Sequence, residues 1–309
     1  MRLVFLKIYL FLILNIIPLK SANSEVFIVA KINQEIITNI DLNFEKRYLV
    51  SLNPNLKKLD QNRINEYAKN SLINEIVKKI EIEKRFGITP NETLLSNVIA
   101  DIYSSIGISS LSEFEKYLSQ NNVDIQRVKE KISIEIAWND LIVKTFANEI
   151  EIDQNSISKE LEKFDNRKID NLLLSEIIFT VNDKKELELK YEAIKKSINE
   201  IGFEETARIY SLSNSKKSGG SLGWIFKNQL SNEVINEINN TKIGDFTKPI
   251  TTSGGFLILK LNNVKSENIK IDKDAQFKKM INFERERQLT RFSTLYYKRI
   301  YNNIEIDEK

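Results

Sequence analysis

The strongest constraint on the fold is a change of hydrophobic period close to residue 169. Before it, apolar residues return every three or four positions, which puts them on one face of a helix. After it comes Leu172-Leu173-Leu174-Ser175-Glu176-Ile177-Ile178-Phe179-Thr180-Val181, too rich in β-formers and too short to continue that pattern. A chain that changes period once, midway, is expected to build a helical unit and then a unit opened by a strand.

In the first half, Val26 to Ile32 and Ile36 to Thr38 flank Asn33-Gln34 and predict a small hairpin. Asn39 and Asp41 are expected to cap a helix that Pro54 ends. A long amphipathic helix follows over about 63–86, with Ile64, Ala68, Leu72, Ile76 and Ile80 in one stripe and Ile73 and Val77 beside it. Gly87 and Pro90 stop it. Further helices are predicted over about 91–105, from a Ser110/Glu113 capping box through Leu118, and over about 124–148. Acids alternate with lysines in Lys78-Lys79-Ile80-Glu81-Ile82-Glu83-Lys84, the pattern of an exposed helix face, and Lys195-Lys196 reads as a solvated face too.

Residues 1–24 have the three parts of a secretory leader: Arg2 and Lys7, an apolar stretch from Ile8 to Ile17, and Ala22-Asn23-Ser24 before the expected cleavage point. That stretch falls short of the ~20 residues that span a bilayer, so no stable membrane insertion is expected after cleavage. Removing the leader takes away three basic residues and no acid, leaving 43 of each sign. A balanced surface offers no electrostatic basis for nucleic acid as a partner. The chain has no Cys and no His, which excludes thiol nucleophiles, a Ser-His-Asp triad and the usual zinc sites. No metal and no cofactor is expected.

Beyond the strand, helices are predicted over 184–201 and 203–210, separated by Gly202. They lead into Ser211-Leu212-Ser213-Asn214-Ser215-Lys216-Lys217-Ser218-Gly219-Gly220-Ser221-Leu222-Gly223-Trp224. A phosphate cradle needs its glycines and basic residue at the start of a helix directly after a strand. Here the lysines come first and an aromatic residue follows, so that reading fails. The segment resembles the signature of the parvulin family of peptidyl-prolyl isomerases, and Phe203 to Ala207, Leu230 to Val234, Ile243-Gly244-Asp245 and Lys248 to Leu261 extend the resemblance over 169–265. Val29 to Asp41, Glu83 to Ile88 and Ile134 to Trp138 are similar to the SurA family of periplasmic chaperones.

This resemblance implies an α+β chain. A mostly helical N-terminal chaperone domain over 25–168 is completed by a C-terminal helix within 266–309, spanning Phe277 to Tyr301, and a parvulin-like α/β domain with an antiparallel sheet occupies 169–265. It implies a periplasmic, ATP-independent holdase whose partners are unfolded polypeptides, in particular outer-membrane β-barrel proteins. The family's two histidines and loop Cys or Asp align with Glu176, Leu257 and Ser213, three departures that imply a domain degenerate in catalysis. The peptide-binding positions implied are Leu222, Leu230, Val234 and Phe256. Gly219, Gly220, Gly223 and Trp224 are expected to maintain the fold, the tryptophan by filling space. Glu176 is open between a solvated strand residue and a polar contact inside the site. A weakly active prolyl isomerase and a non-enzymatic secreted structural module are the alternative functions.

Overall fold

The structure, a computed structural model, describes residues 25–88, 91–162, 169–267 and 273–309. The leader expected over 1–24 lies outside them, as does most of the expected junction before Ile169.

Strands β1 (Ile28–Ile32) and β2 (Glu35–Thr38) form the expected hairpin, with Asn33 at φ 51 in the turn. Helix α1 (Asn39–Leu52) follows at once, but its cap differs from the expectation. Thr38 is the N-cap, its hydroxyl accepting from Asp41 N while the Asp41 carboxylate accepts from Thr38 N, a reciprocal box that one residue of shift makes possible. Asn39 instead ties down the chain before β1, accepting from Phe27 N and donating to Glu25 O.

Helices α2 (Gln61–Arg85), α3 (Glu92–Ser105), α4 (Leu111–Gln120) and α5 (Ile125–Phe146) come where the apolar stripes place them. They pack α1, α3, α4 and α5 around Phe44, Phe114, Leu118 and Val128. Helix α6 (Gln154–Glu162) was not expected; nine residues carry too short a period to stand out.

The second unit opens on β3 (Ile169–Phe179) and continues through α7 (Lys184–Ile201) and α8 (Phe203–Tyr210). Gly202, at φ 88, makes the break between them. Next come β4 (Ser221–Phe226), α9 (Asn232–Asn239), β5 (Ile250–Thr252) and β6 (Gly255–Glu267). The antiparallel sheet has the order β4-β3-β6-β5. Leu172, Leu174, Leu259 and Leu261 face α9 residues Val234 and Ile238, while Ile177, Phe179 and Ile258 face α7 and α8.

Helix α10 (Lys273–Tyr301) returns to the first unit. Trp138, 1% exposed, donates from Nε1 to Ser293 Oγ at 2.9 Å and packs against Tyr296 and Tyr297. Leu295 faces out, and Phe283 packs on the sheet unit. The unexpected β7 (Ile306–Glu308) then pairs with β1, giving a sheet of order β2-β1-β7.

One expectation about charge is corrected here. Lys78 and Glu81 are buried, not on an exposed face. Each has an ion-pair partner, Glu135 for Lys78 and Arg85 for Glu81, and Glu81 also accepts from Tyr296 Oη at 2.5 Å. A buried charge needs a partner, and tertiary neighbours supply it without leaving a trace in the helical period.

The two units do not have separate interiors. Leu49, Leu56, Tyr67 and Ala68 of the helical unit share one buried cluster with Ile177, Phe179, Phe203, Ala207 and Tyr210 of the sheet unit. The Tyr67 and Tyr210 rings meet edge to face at 5.9 Å, and Arg63 pairs with Glu200 at 2.7 Å beside them. No helix of the described residues is long and apolar enough to cross a membrane.

Candidate functional site

The serine- and glycine-rich segment is a loop that bonds to β3 at Ile178 and again at Glu176. At the first point Leu212 N donates to Ile178 O at 2.7 Å, with Ser211 Oγ accepting from Ile178 N. At the second Glu176 N donates to Gly220 O at 2.8 Å. Between these points the loop makes a 3-10 turn, Asn214–Ser218, capped by Ser213.

Gly220 explains the glycine requirement. Its φ is +80, and a Cβ there would lie 2.3 Å from Glu176 O. A Cβ at Gly219, φ +64, would lie 2.8 Å from Glu204 Cβ. Gly223 has φ +72 but open space around it, so only its backbone conformation calls for glycine.

The loop closes on the Glu176 side chain. Ser213 Oγ donates to Glu176 Oε1 at 2.5 Å, Ser215 Oγ donates to the same oxygen at 2.9 Å, and the two hydroxyls are 3.0 Å apart. Burial pushes the Glu176 carboxyl pKa up, and the two hydroxyl bonds pull against that shift. Glu176 is therefore hydrogen-bonded to the loop and not a freely solvated strand residue. Ser215 was not singled out in the sequence, although three serines at alternate positions from Ser211 are the signal that a loop can satisfy a buried acceptor.

Leu257 lies opposite Ile178 in the β3–β6 register, on the sheet face that carries Glu176. Leu222, Leu230, Val234 and Leu257 come together in one apolar cluster on that face. Glu176 and Ser213 thus share a face with four of the five expected apolar positions. Phe256 is the exception and is corrected: next to Leu257 in a pleated strand, it points to the opposite face and stacks on Phe179 with ring centroids 5.8 Å apart. Trp224 is corrected as well. It does not fill space but lies 43% exposed on β4 with Lys265 Nζ 4.6 Å from its ring.

The arrangement offers no imidazole and no thiol for proton transfer. What it offers is a carboxyl acceptor of raised pKa beside an aliphatic surface. Among the described residues, no group of three or more potential metal ligands comes together.

A second concavity lies between the units, with a volume of about 810 Å³. Its helical wall includes Leu52, Pro54, Val98, Ile102 and Tyr117, and its sheet-unit wall includes Phe203, Glu205, Arg208 and Lys217. Tyr117 Oη donates to Ser51 O at 2.6 Å and Arg208 pairs with Glu205 at 3.2 Å, so two of the polar groups on its walls are held in place. Burial raises the Glu205 pKa and lowers that of Lys217.

Residues 172–263 match the rotamase family model, a PPIC-type PPIase domain. The Chaperone SurA of Vibrio parahaemolyticus is 27% identical over 190 residues, covering 59% of this chain and 44% of that protein. The Foldase protein PrsA of Staphylococcus aureus is 23% identical over 266 residues, covering 84% of this chain and 78% of that one. Among solved structures, a chain from the description of PEB4 and Cj1289 as two structurally related SurA-like chaperones of Campylobacter jejuni is 15% identical, with 91% of this chain and 98% of that one covered and a TM-score of 0.36. The chain spans about half the length of the curated SurA relatives it matches. Placed at the strand, the Gly-Gly loop and the closing strand described above, the family match identifies residues 172–263 as a PPIC-type PPIase, or parvulin, domain in a chain similar to the SurA chaperones.

Proposed function

We propose that this protein is an ATP-independent holdase of the periplasm that keeps unfolded polypeptides, outer-membrane β-barrel proteins among them, from aggregating, and that its parvulin domain is degenerate in catalysis. The observation that carries this reading is the cleft of about 810 Å³ between the helical and parvulin units. Aliphatic and aromatic side chains alternate there with charged groups of both signs, which suits an extended segment of mixed sequence better than one defined small molecule. Similarity to SurA chaperones supports the client class, and the leader-like residues 1–24 support export.

Isomerisation requires stabilising a twisted amide against a rotation barrier of ~20 kcal/mol. With Glu176, Ser213 and Leu257 in place of the family's polar set, the donors that would organise such an amide are missing. A second reading, a weak prolyl isomerase, draws on the apolar cluster of Leu222, Leu230, Val234 and Leu257 on the sheet face that carries Glu176.

Both readings are tested on one preparation. Light scattering of a urea-diluted β-barrel protein should fall in the presence of the chain without nucleotide, and no suppression at a severalfold excess rejects the holdase. A proline tetrapeptide should isomerise at the buffer rate; acceleration abolished by Val234→Trp establishes the second reading instead.

A further inference from the structure

The loop that encloses Glu176 is anchored in the other unit at two points. Leu212 packs against the buried core around Trp138 and Tyr296, and Lys216 Nζ donates to Glu135 Oε1 on α5 at 3.0 Å. Glu135 is itself gripped by Lys78 of α2, whose Nζ donates to both carboxylate oxygens at 2.9 and 2.7 Å. Lys78 lies against the Trp138 ring at 5.6 Å. Three charged side chains from three segments therefore meet where the loop crosses the helical unit, with exposures of 5%, 17% and 16% for Lys78, Glu135 and Lys216.

The spacing along the loop matters. Lys216 is one residue from Ser215 and three from Ser213, the two residues whose hydroxyls hold Glu176. Both lie within one short turn, whose backbone is closed by Lys216 N to Ser213 O at 3.2 Å and Gly220 N to Ser215 O at 2.8 Å. A turn this short moves as a unit, so its anchor and its two hydroxyls cannot be displaced independently.

We propose that Glu135 is a positioning residue for the parvulin site: acting through Lys216, it fixes the 213–218 turn so that Ser213 and Ser215 stay on the Glu176 carboxyl. The helical unit thereby sets the polarity of a site that it does not line. The inference goes beyond the holdase reading, because the turn's position can be followed with no client present.

Glu135→Gln and Lys216→Met in the full chain test it by hydrogen exchange. Losing the anchor should speed exchange of the 211–220 amides by about tenfold while leaving β5 and β6 unchanged. Lys216→Arg, which keeps charge and reach, should restore protection. A second readout is the Glu176 carboxyl followed by carbon-13 titration and assigned with Glu176→Gln. Once the turn moves off, water reaches the carboxyl and the burial that holds its pKa up is relieved along with the two weaker hydroxyl bonds, so its pKa should fall toward the ordinary carboxyl value. Lys195→Met, which breaks an exposed pair on α7, is the control. Unchanged exchange in 211–220 for both anchor variants overturns the proposal. So does acceleration that is uniform across the sheet, or a Glu176 titration that does not move. Lys216→Met alone decides the matter if Glu135→Gln fails to fold.

Discussion

The most demanding prediction concerns Gly220. Changing it to Ala places a Cβ 2.3 Å from Glu176 O and 3.1 Å from Ala207 Cβ, at a residue whose φ is +80. The contact atom is backbone in the central part of β3, so it cannot swing aside. Three costs combine. The positive φ costs ~1–3 kcal/mol for a residue with a side chain. Forcing the close contact apart costs ~1–3 kcal/mol as overpacking. Displacing the loop also loses the Glu176 N to Gly220 O bond, worth about 1 kcal/mol. The expected loss is thus ~3–7 kcal/mol. Gly223→Ala provides the internal comparison, since its φ of +72 carries the first cost while nothing lies within 4 Å to add the second. Urea unfolding of both variants, followed by circular dichroism, should show Gly220→Ala less stable than Gly223→Ala by ~2–4 kcal/mol with similar slopes. Equal losses within ~1 kcal/mol would mean that the loop does not bear on Glu176 as described.

Other outcomes follow from charge and packing. Burial lowers the Lys78 pKa to about 7. An unfolded chain holds that proton to near pH 10, so stability should rise between about pH 7 and 9.5. Lys78→Met should flatten the rise in pH-dependent urea midpoints, leaving the smaller share in the same direction from Lys190 and Lys217; an unchanged slope counts against a buried, proton-shedding Lys78. Tyr67→Ala removes a fully buried ring that touches Tyr210 across the units and should cost ~3–5 kcal/mol in one cooperative transition. Separate transitions for the two units in that variant, with the second at the parent's midpoint, would show that the shared cluster does not couple them.

Much of the fold could be read from the sequence where one element decides its own boundaries. Helix α2 announces itself by its stripe, and α7 and α8 by an apolar period broken at Gly202. The Gly-Gly loop could be read because its order of glycines and tryptophan resembles a family signature, although the steric demand on Gly219 and Gly220 is set by Glu204 and Glu176. What stayed hidden depends on partners distant in sequence. Lys78 follows the pattern of a solvent-facing lysine, and only α5 and the 213–218 turn make it a buried one. The fate of Glu176 required Ser213 and Ser215 to fold back over 37 and 39 residues. Phe256 and Leu257 differ by one step in a pleat, so a one-residue alternation separates a site residue from a core residue. Strand β7 is three residues long and has no period of its own.

That last strand bears on the order in which the chain can fold. Asn33 and Glu305 exchange bonds, Asn33 N to Glu305 O at 2.9 Å and Glu305 N to Asn33 Oδ1 at 3.1 Å, across a separation of 272 residues. While the polypeptide emerges from a ribosome or a translocation pore, β1 has β2 beside it but nothing on its other edge. Trp138 meanwhile waits for Ser293 and the tyrosines of α10. The parvulin unit, whose strands all lie between residues 169 and 267, can complete its sheet first. Loop-closure entropy makes so distant a pairing slow to form. In that interval the nascent chain exposes an open strand edge and an unfilled apolar seam, the kind of surface a holdase exists to cover on other proteins.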